Sequence, residues 1–298
     1  MKVFLTGATG FVGSYILKRL INDGHFVRCL VRNPAAGGIF DFDQVETVTG
    51  DATIPDTLAG KLDGCDAVIH LVAIIREKKS KNITFKRLNY ISTKNVVEAA
   101  VRQGVKKFVY MSALGADVNG ETPYFRTKGR AEAVVKQSGL FYTIFRPSFI
   151  FGPGDAVYSL LANVIKKSPF GIMPVFGNGE YLHQPISVYN VAEAFVSCLT
   201  NSKSVNKIYD IGGPKQLSYN EQLRIIGKIV GKKTRKLKLP LLLAKPAIKI
   251  AGIFPFSPID SDRLKMLVKN NITDNILFLN DIPLELLTFE KGLSEYIR

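Results

Sequence analysis

A chain of 298 residues, 46% of them apolar, with 40 Lys and Arg against 25 Asp and Glu, is long enough for one large domain or two modest ones and too apolar to be disordered. Three isolated cysteines (Cys29, Cys65, Cys198) and three scattered histidines argue against a disulfide framework and against a metal site. The net charge of +15 is spread along the chain, with clusters at 78–81 and 232–238 that lack interleaved aromatic residues, so nucleic acid is not an expected partner.

Met1 and Lys2 lead straight into an apolar strand at 3–5, which leaves no room for a signal peptide; with reduced cysteines, a cytoplasmic location is expected. The strand runs into Gly7-Ala-Thr9-Gly10-Phe11-Val12-Gly13 and then a helix over 12–22, with Gly24 at its end. Glycines at this spacing, between strand and helix, let backbone N–H groups approach a dinucleotide pyrophosphate with no Cβ in the way. Strands follow at 26–31 and 45–48, and a nearly continuous apolar run at 67–73 suits a parallel strand covered on both faces. A helix over 84–103, a strand at 107–111, a helix over 123–136 and a strand at 142–145 complete an alternation that means an α/β, doubly wound parallel sheet, the NAD(P)-binding Rossmann fold.

After Arg146-Pro147 glycines and prolines recur, which predicts a loop-rich stretch, then a helix over 190–199, a strand at 207–211 and a mainly helical remainder from Leu217. The expected domains are a dinucleotide-binding core at 1–150, also receiving about 186–213, and a smaller substrate-binding lobe made of 151–185 and 214–298. A substrate is expected between this lobe and the carboxyl ends of the strands, beside the loops 149–158 and 174–184, where Phe149, Phe151, Phe176 and Tyr181 suggest an aromatic wall.

The second strand ends in Arg32 with no acid in reach, which favours the 2′-phosphate of NADP(H) over the free ribose of NAD(H), although NAD(H) stays open. Asp51, after the third strand, is placed to accept from the adenine amino group, with Ala52 beside it. Leu71 and Ala73 at the fourth strand end, Met111 at the fifth and Pro147 at the sixth complete the expected cofactor contacts. Tyr124 and Lys128, four apart, share one helical face, where an ammonium near a phenol lowers its pKa and favours proton transfer to a carbonyl. Ser112 can bond the same reacting oxygen, and Lys128 also orients the cofactor ribose. Arg146 reads as structural rather than as a substrate clamp.

Together, Thr6-Gly7-x-x-Gly10-x-x-Gly13, the Ser112 strand, Tyr124-x-x-x-Lys128 and Arg146-Pro147 followed by Phe151-Gly152-Pro153 resemble an extended or atypical short-chain dehydrogenase/reductase, the family that includes sugar-nucleotide epimerases and dehydratases. The stretches 70–77, 111–116 and 124–128 resemble a narrower branch related to the nucleotide-binding accessory subunit of respiratory complex I. The likeness covers roughly 1–215. It implies a nicotinamide cofactor more firmly than turnover, because the complex I subunit binds NADPH and is not known as a turnover catalyst. The sequence departs from the pattern at Ser112, a single serine where many family enzymes have a pair, and at Asn190, where an Asp commonly stands. Asn89 matches a family position read as packing and backbone hydrogen bonding.

Two functions are therefore expected in competition. One is an NADP(H)-dependent oxidoreductase or epimerase acting on a small lipophilic or sugar-nucleotide substrate. The other is a non-catalytic NADPH-binding module in complex assembly or redox sensing. The segment 237–259 mixes Lys245 and Lys249 with Leu241–Leu243 and Phe254–Phe256, and reads either as short helices packing the lobe or as a peripheral contact with anionic lipid. Helices flanking the sheet leave a homo-oligomer open.

Overall fold

The computed structural model describes residues 1–33, 42–240 and 261–297. Seven parallel strands form the main sheet: β1 (Lys2–Thr6), β2 (Phe26–Val31), β3 (Val45–Thr49), β4 (Ala67–His70), β5 (Lys107–Met111), β6 (Phe141–Pro147) and β7 (Lys207–Ile211). Their spatial order is β7-β6-β5-β4-β1-β2-β3, so the winding reverses between β1 and β4. At that reversal Thr6 lies beside both Leu30 and His70, and the strand ends open a crevice. The principal helices are α1 (Phe11–Asn22), α2 (Ser92–Arg102), α3 (Pro123–Lys136), α4 (Val157–Lys167), α5 (Val188–Ser197) and α6 (Tyr219–Ile229). The α/β doubly wound reading is correct.

The chain divides into two compact units. The first comprises Met1–Pro147, Val188–Ile211 and Asn275–Glu285. Alternation along each strand sends Phe4, Val68, Phe108 and Ile144 to one face of the sheet, where Val96 and Ala99 of α2 and Ala131 and Val135 of α3 cover them. The opposite face receives α1 and α5; Phe195 of α5 meets Phe145 with ring centroids 4.7 Å apart. Each such fully buried large apolar side chain stabilises the fold by roughly 1.5–3 kcal/mol. The expected helix over 84–103 is a π-type stretch, Lys86–Ile91, running into α2. β4 ends at His70, so Ala73 stands three residues beyond the strand rather than at its end.

The second unit comprises Ser148–Ser187, Gly212–Asp274 and Leu286–Arg298. Its core is aromatic, with Phe151, Tyr158, Tyr181, Tyr219 and Phe289 packed around Leu223 and Ile226 of α6. Ser218 and Glu221 close a reciprocal capping box at the start of α6. Two elements differ from expectation. α4 lies inside the stretch read as loop, because the glycines and prolines flank it while its own eleven residues contain neither, and Tyr158, Ala162 and Ile165 repeat at helical spacing on its buried face. Arg235–Leu239, in the tail read as mainly helical, is a strand paired in parallel with Ile172–Phe176; its Lys-Leu-Lys-Leu alternation has the two-residue period of a strand. Phe151 and Tyr181 are core residues rather than part of an aromatic wall, Phe151 being fully buried edge-on to Phe289 and Tyr181 buried with its ring stacked on Tyr219. The lipid-facing reading of Leu241–Leu243 and Phe254–Phe256 lies outside the described residues. No helix among the described residues is long and apolar enough to cross a membrane.

Candidate functional site

Every catalytic and cofactor-binding residue the sequence nominates lies in the first unit, whereas Phe149, Phe151, Phe176 and Tyr181 lie in the second. The turn after β1 begins with Gly7 at φ +81°, a conformation that side chains rarely adopt, and Gly10 N–H donates to Gly7 O at 3.0 Å. A Cβ at Gly13 would collide with the carbonyl oxygen of Gly7, so only glycine lets α1 start this close to the turn. Gly10 gives α1 no side-chain cap and the first turn carries no acid. The first N–H groups of this helix, at Phe11 and Val12, are therefore left for a ligand at its positive end. Thr9 and Gly10 are exposed, Phe11 is half-buried, and Leu71 packs against Gly7 from the end of β4. These are the features a pyrophosphate cradle requires.

Two further strand ends carry the adenosine candidates. Gly50 N–H donates to Val31 O at 2.9 Å, which sets exposed Arg32 and half-buried Asp51 on adjacent strand ends. Asp51 Oδ1 accepts from Thr53 N and Thr53 Oγ1, both at 2.8 Å, and Oδ2 stands 3.9 Å from Arg87. Arg87 in turn donates to Thr53 Oγ1. Ala52 O accepts from buried Asn95 at 3.0 Å, which pins this loop to α2. The Asp51 carboxylate thus has one oxygen committed to its own turn.

At the reaction end, Ser112 follows β5 and its N–H donates to Phe145 O at 2.7 Å, while Leu114 N–H donates to Pro147 O. The Ser112 side chain is 3% exposed, and its Oγ has no hydrogen-bond partner among the described residues. Thr122 caps α3, with Pro123 in its first turn, so Tyr124 stands at the start of the helix and Lys128 one turn on. Lys128 is fully buried: Nζ donates to Met111 O at 2.7 Å and to Tyr110 Oη at 3.3 Å, and stands 4.8 Å from the Tyr110 ring centre. Burial lowers its pKa to about 7 against the opposing pull of Glu132. Burial also pushes Tyr124 up to about 12, so the expected lowering of this phenol by Lys128 does not occur in this state. The ammonium is engaged with β5 instead.

Residues that spacing did not nominate support this pair. Glu132, one turn beyond Lys128, takes a bidentate pair from Arg146 at 2.7 and 2.5 Å. Arg146 is thereby structural, with Asp210 3.7 Å away on its far side. Below the turn, fully buried His70 joins Thr6 Oγ1 (2.7 Å) to Thr93 Oγ1 (3.1 Å); burial and then nearby Lys128 push its pKa down to about 3, so the ring is neutral. Asn89, within the π-type stretch, accepts from Ile74 N–H at 2.8 Å, donates back to Ile74 O at 3.2 Å and reaches Thr127 at 3.5 Å. It holds the loop after β4 to α3, as its reading for packing and backbone bonding required. Asn190 donates to Glu285 O, a structural contact as well. The Tyr124–Lys128–Glu132 repeat every four residues was the one signal that could have nominated Glu132.

Fold and turn define a dinucleotide-binding protein of the doubly wound class. A family model for NAD(P)H binding matches residues 7–202, and the chain belongs to that family. Its relatives include the mitochondrial NADH dehydrogenase [ubiquinone] 1 alpha subcomplex subunit 9 of Arabidopsis thaliana, 28% identical over 93% of this chain and 72% of that protein. The ceramide reductase of Caulobacter vibrioides is 29% identical over 84% of this chain and 76% of its own length. Among solved structures, the UDP-glucose 4-epimerase of Thermus thermophilus in complex with NAD superposes with a TM-score of 0.76 over 100% of this chain and 98% of that one, at 20% identity. The resemblance to epimerase-like short-chain dehydrogenases and to the complex I subunit is thus shown, and with it binding of a nicotinamide dinucleotide.

Proposed function

We propose that this protein is an NADP(H)-dependent oxidoreductase that reduces a carbonyl on a small lipophilic or sugar-nucleotide substrate, with Tyr124 as the proton donor. The unpartnered, buried Ser112 Oγ carries this reading. Leaving a buried hydroxyl unpaired costs about 1–3 kcal/mol, and a substrate oxygen bonded there would recover it. The nicotinamide, when bound, supplies the hydride. Gly7, Thr9, Gly10, Phe11, Val12 and Gly13 would hold the pyrophosphate, Asp51 and Ala52 the adenine, and Leu71, Ala73, Met111 and Pro147 the nicotinamide half. Ser112 orients the substrate oxygen, and Tyr124, fully protonated at neutral pH, gives it a proton. Lys128, with a pKa close to neutrality, can turn its charge from Met111 O toward a ribose hydroxyl or the new phenolate. Similarity to a ceramide reductase supports the lipophilic choice. Arg32, exposed at the end of β2 where the sequence offers no acid, supports NADP(H) over NAD(H).

A second reading, a cofactor-binding module without turnover, is favoured by one observation: Lys128 is tied to β5 and leaves Tyr124 without a cationic neighbour that lowers its pKa. Parallel titration with NADPH and NADH, followed by nicotinamide fluorescence, tests the cofactor choice; Arg32→Ala is expected to weaken NADPH at least tenfold and NADH little. A substrate screen with Tyr124→Phe as control tests the chemistry. Loss of turnover by a hundredfold or more with cofactor affinity held supports the reductase. A fully active Tyr124→Phe protein would remove the proposed role, and no turnover on any carbonyl would favour the module.

A further inference from the structure

The basic excess of this chain has a focus. Between 228 and 238 the sequence places Lys228, Lys232, Lys233, Arg235, Lys236 and Lys238 with no acid among them. In the second unit, α6 and the segment leading into Arg235–Leu239 wall an open cleft of about 780 Å³, lined by Arg224, Lys228, Lys232, Lys233 and Lys236. Two carboxylates share the cleft and both are already engaged. Glu221 accepts from Ser218 N–H at 2.7 Å within the capping box, and Glu180 accepts from Asn220 Nδ2 at 2.6 Å.

The cations are unequal. Lys232 is held by Lys166 O and Ser168 O, both at 2.7 Å, and Lys228 pairs with exposed Glu290 at 2.8 Å. The side chains of Lys233 and Lys236 make no ion pair or hydrogen bond among the described residues, and Arg224 makes none within 4 Å, its charge acting at longer range on Glu221 and Glu290. Arg224 and Lys228 are four apart on α6, an arrangement of like charges that works against the helix. A solvated convex face would disperse such charges or interleave acids. Here they converge in a concavity, where low-dielectric walls focus the field toward an anion. Thr234 and Ser218 add hydroxyls at the same walls. Arginine and lysine supply, respectively, a planar fork and point charges for phosphate oxygens.

We propose that this cleft binds a phosphate-bearing ligand carrying at least two negative charges, seated between Arg224, Lys233 and Lys236, and separate from the dinucleotide turn of the first unit. A soluble nucleotide and an anionic lipid headgroup share this chemistry, and the test separates them. The full-length protein, saturated with NADPH so that the glycine-rich turn is filled, is titrated with inorganic pyrophosphate by calorimetry; in parallel it is co-sedimented with phosphatidylglycerol and phosphatidylcholine vesicles. Arg224→Ala/Lys236→Ala is compared with Lys106→Ala/Lys136→Ala, which removes the same charge from exposed sites in the first unit. The expected result is pyrophosphate binding that weakens at least tenfold in the cleft variant and little in the control, with NADPH affinity unchanged in both. Binding only to phosphatidylglycerol vesicles, lost in the cleft variant alone, supports the same site with a headgroup as its ligand. No binding to either probe, or equal weakening in both variants, overturns the proposal.

Discussion

Lys128 donates to the carbonyl oxygen of Met111 at 2.7 Å, so this buried cation of the candidate site is fastened to the end of β5. Removing an ammonium from water costs more than these contacts return, and its pKa falls from 10.5 to about 7. Between those values the unfolded chain holds a proton that the folded chain lacks, so stability rises with pH across that window, by up to about 1.4 kcal/mol per pH unit. Urea unfolding at pH 7.5 and 9.5 should show the rise, and Lys128→Met should flatten it. An equal slope in the variant would place the titration elsewhere.

The imidazole of His70 gives the opposite end of the scale. Its folded pKa of about 3 lies below the ordinary 6.5, so its contribution is complete above pH 6.5 and is lost as the pH falls toward 3. Wild-type stability should drop by about 1.6 kcal/mol from this group between pH 6.5 and 5. His70→Gln, with one amide in place of two ring nitrogens, is expected to be less stable at pH 7 yet to lose less on acidification. Denaturant midpoints at the two pH values measure both.

Gly13→Ala places a methyl group against the Gly7 carbonyl. Backbone must move at the start of α1, and the expected cost is about 1–3 kcal/mol with NADPH binding lost or weakened at least a hundredfold. Gly24→Ala is the companion: nothing stands within 4 Å of its Cβ, but φ is +76°, so it strains the backbone without touching the turn. The pair separates general destabilisation from damage to the cofactor cradle, with melting temperature and NADPH titration as the two readouts.

Breaking the Glu132–Arg146 pair leaves Arg146 with only the more exposed Asp210, 3.7 Å away. Glu132 is almost wholly enclosed and Arg146 keeps a quarter of its side chain exposed, so Glu132→Gln should cost about 3 kcal/mol, toward the lower end for a buried pair. Removing this anion also deepens the fall of the Lys128 pKa, since Glu132 is what raises it. A shift of the alkaline stability rise to lower pH in Glu132→Gln would register that coupling.

The sheet was legible because its strands alternate with helical patterns and the central one, at 67–70, writes itself as a continuous apolar run, while glycines mark where α1 begins. Helix α3 was legible to the residue, from Pro123 to Lys136. Less legible were elements whose signal lies in their neighbours. α4 is surrounded by glycine and proline that read as loop, and Arg235–Leu239 looks like a basic tail until Ile172–Phe176 is set beside it. At the site, one-dimensional spacing gave Tyr124 and Lys128 a shared face but not the direction of the amine, which depends on a carbonyl seventeen residues back in the chain. The Thr6–His70–Thr93 chain joins three elements and leaves no periodic trace.

Asn275–Glu285 returns to the first unit after the chain has built nearly all of the second. Asp281 accepts from Tyr209 Oη at 2.8 Å and Asn201 donates to the Asp281 carbonyl, so this late segment covers β7, the outer strand of the sheet. A ribosome releases the nucleotide-binding sheet first, yet its last strand must wait for some seventy further residues before its cover arrives. Neither unit is a continuous stretch of gene. Truncations that stop before residue 275 would therefore leave Phe145 and Tyr209 without the Phe278 ring that covers them and Tyr209 without its acceptor Asp281, so the outer strand would be the last part of the sheet to become secure.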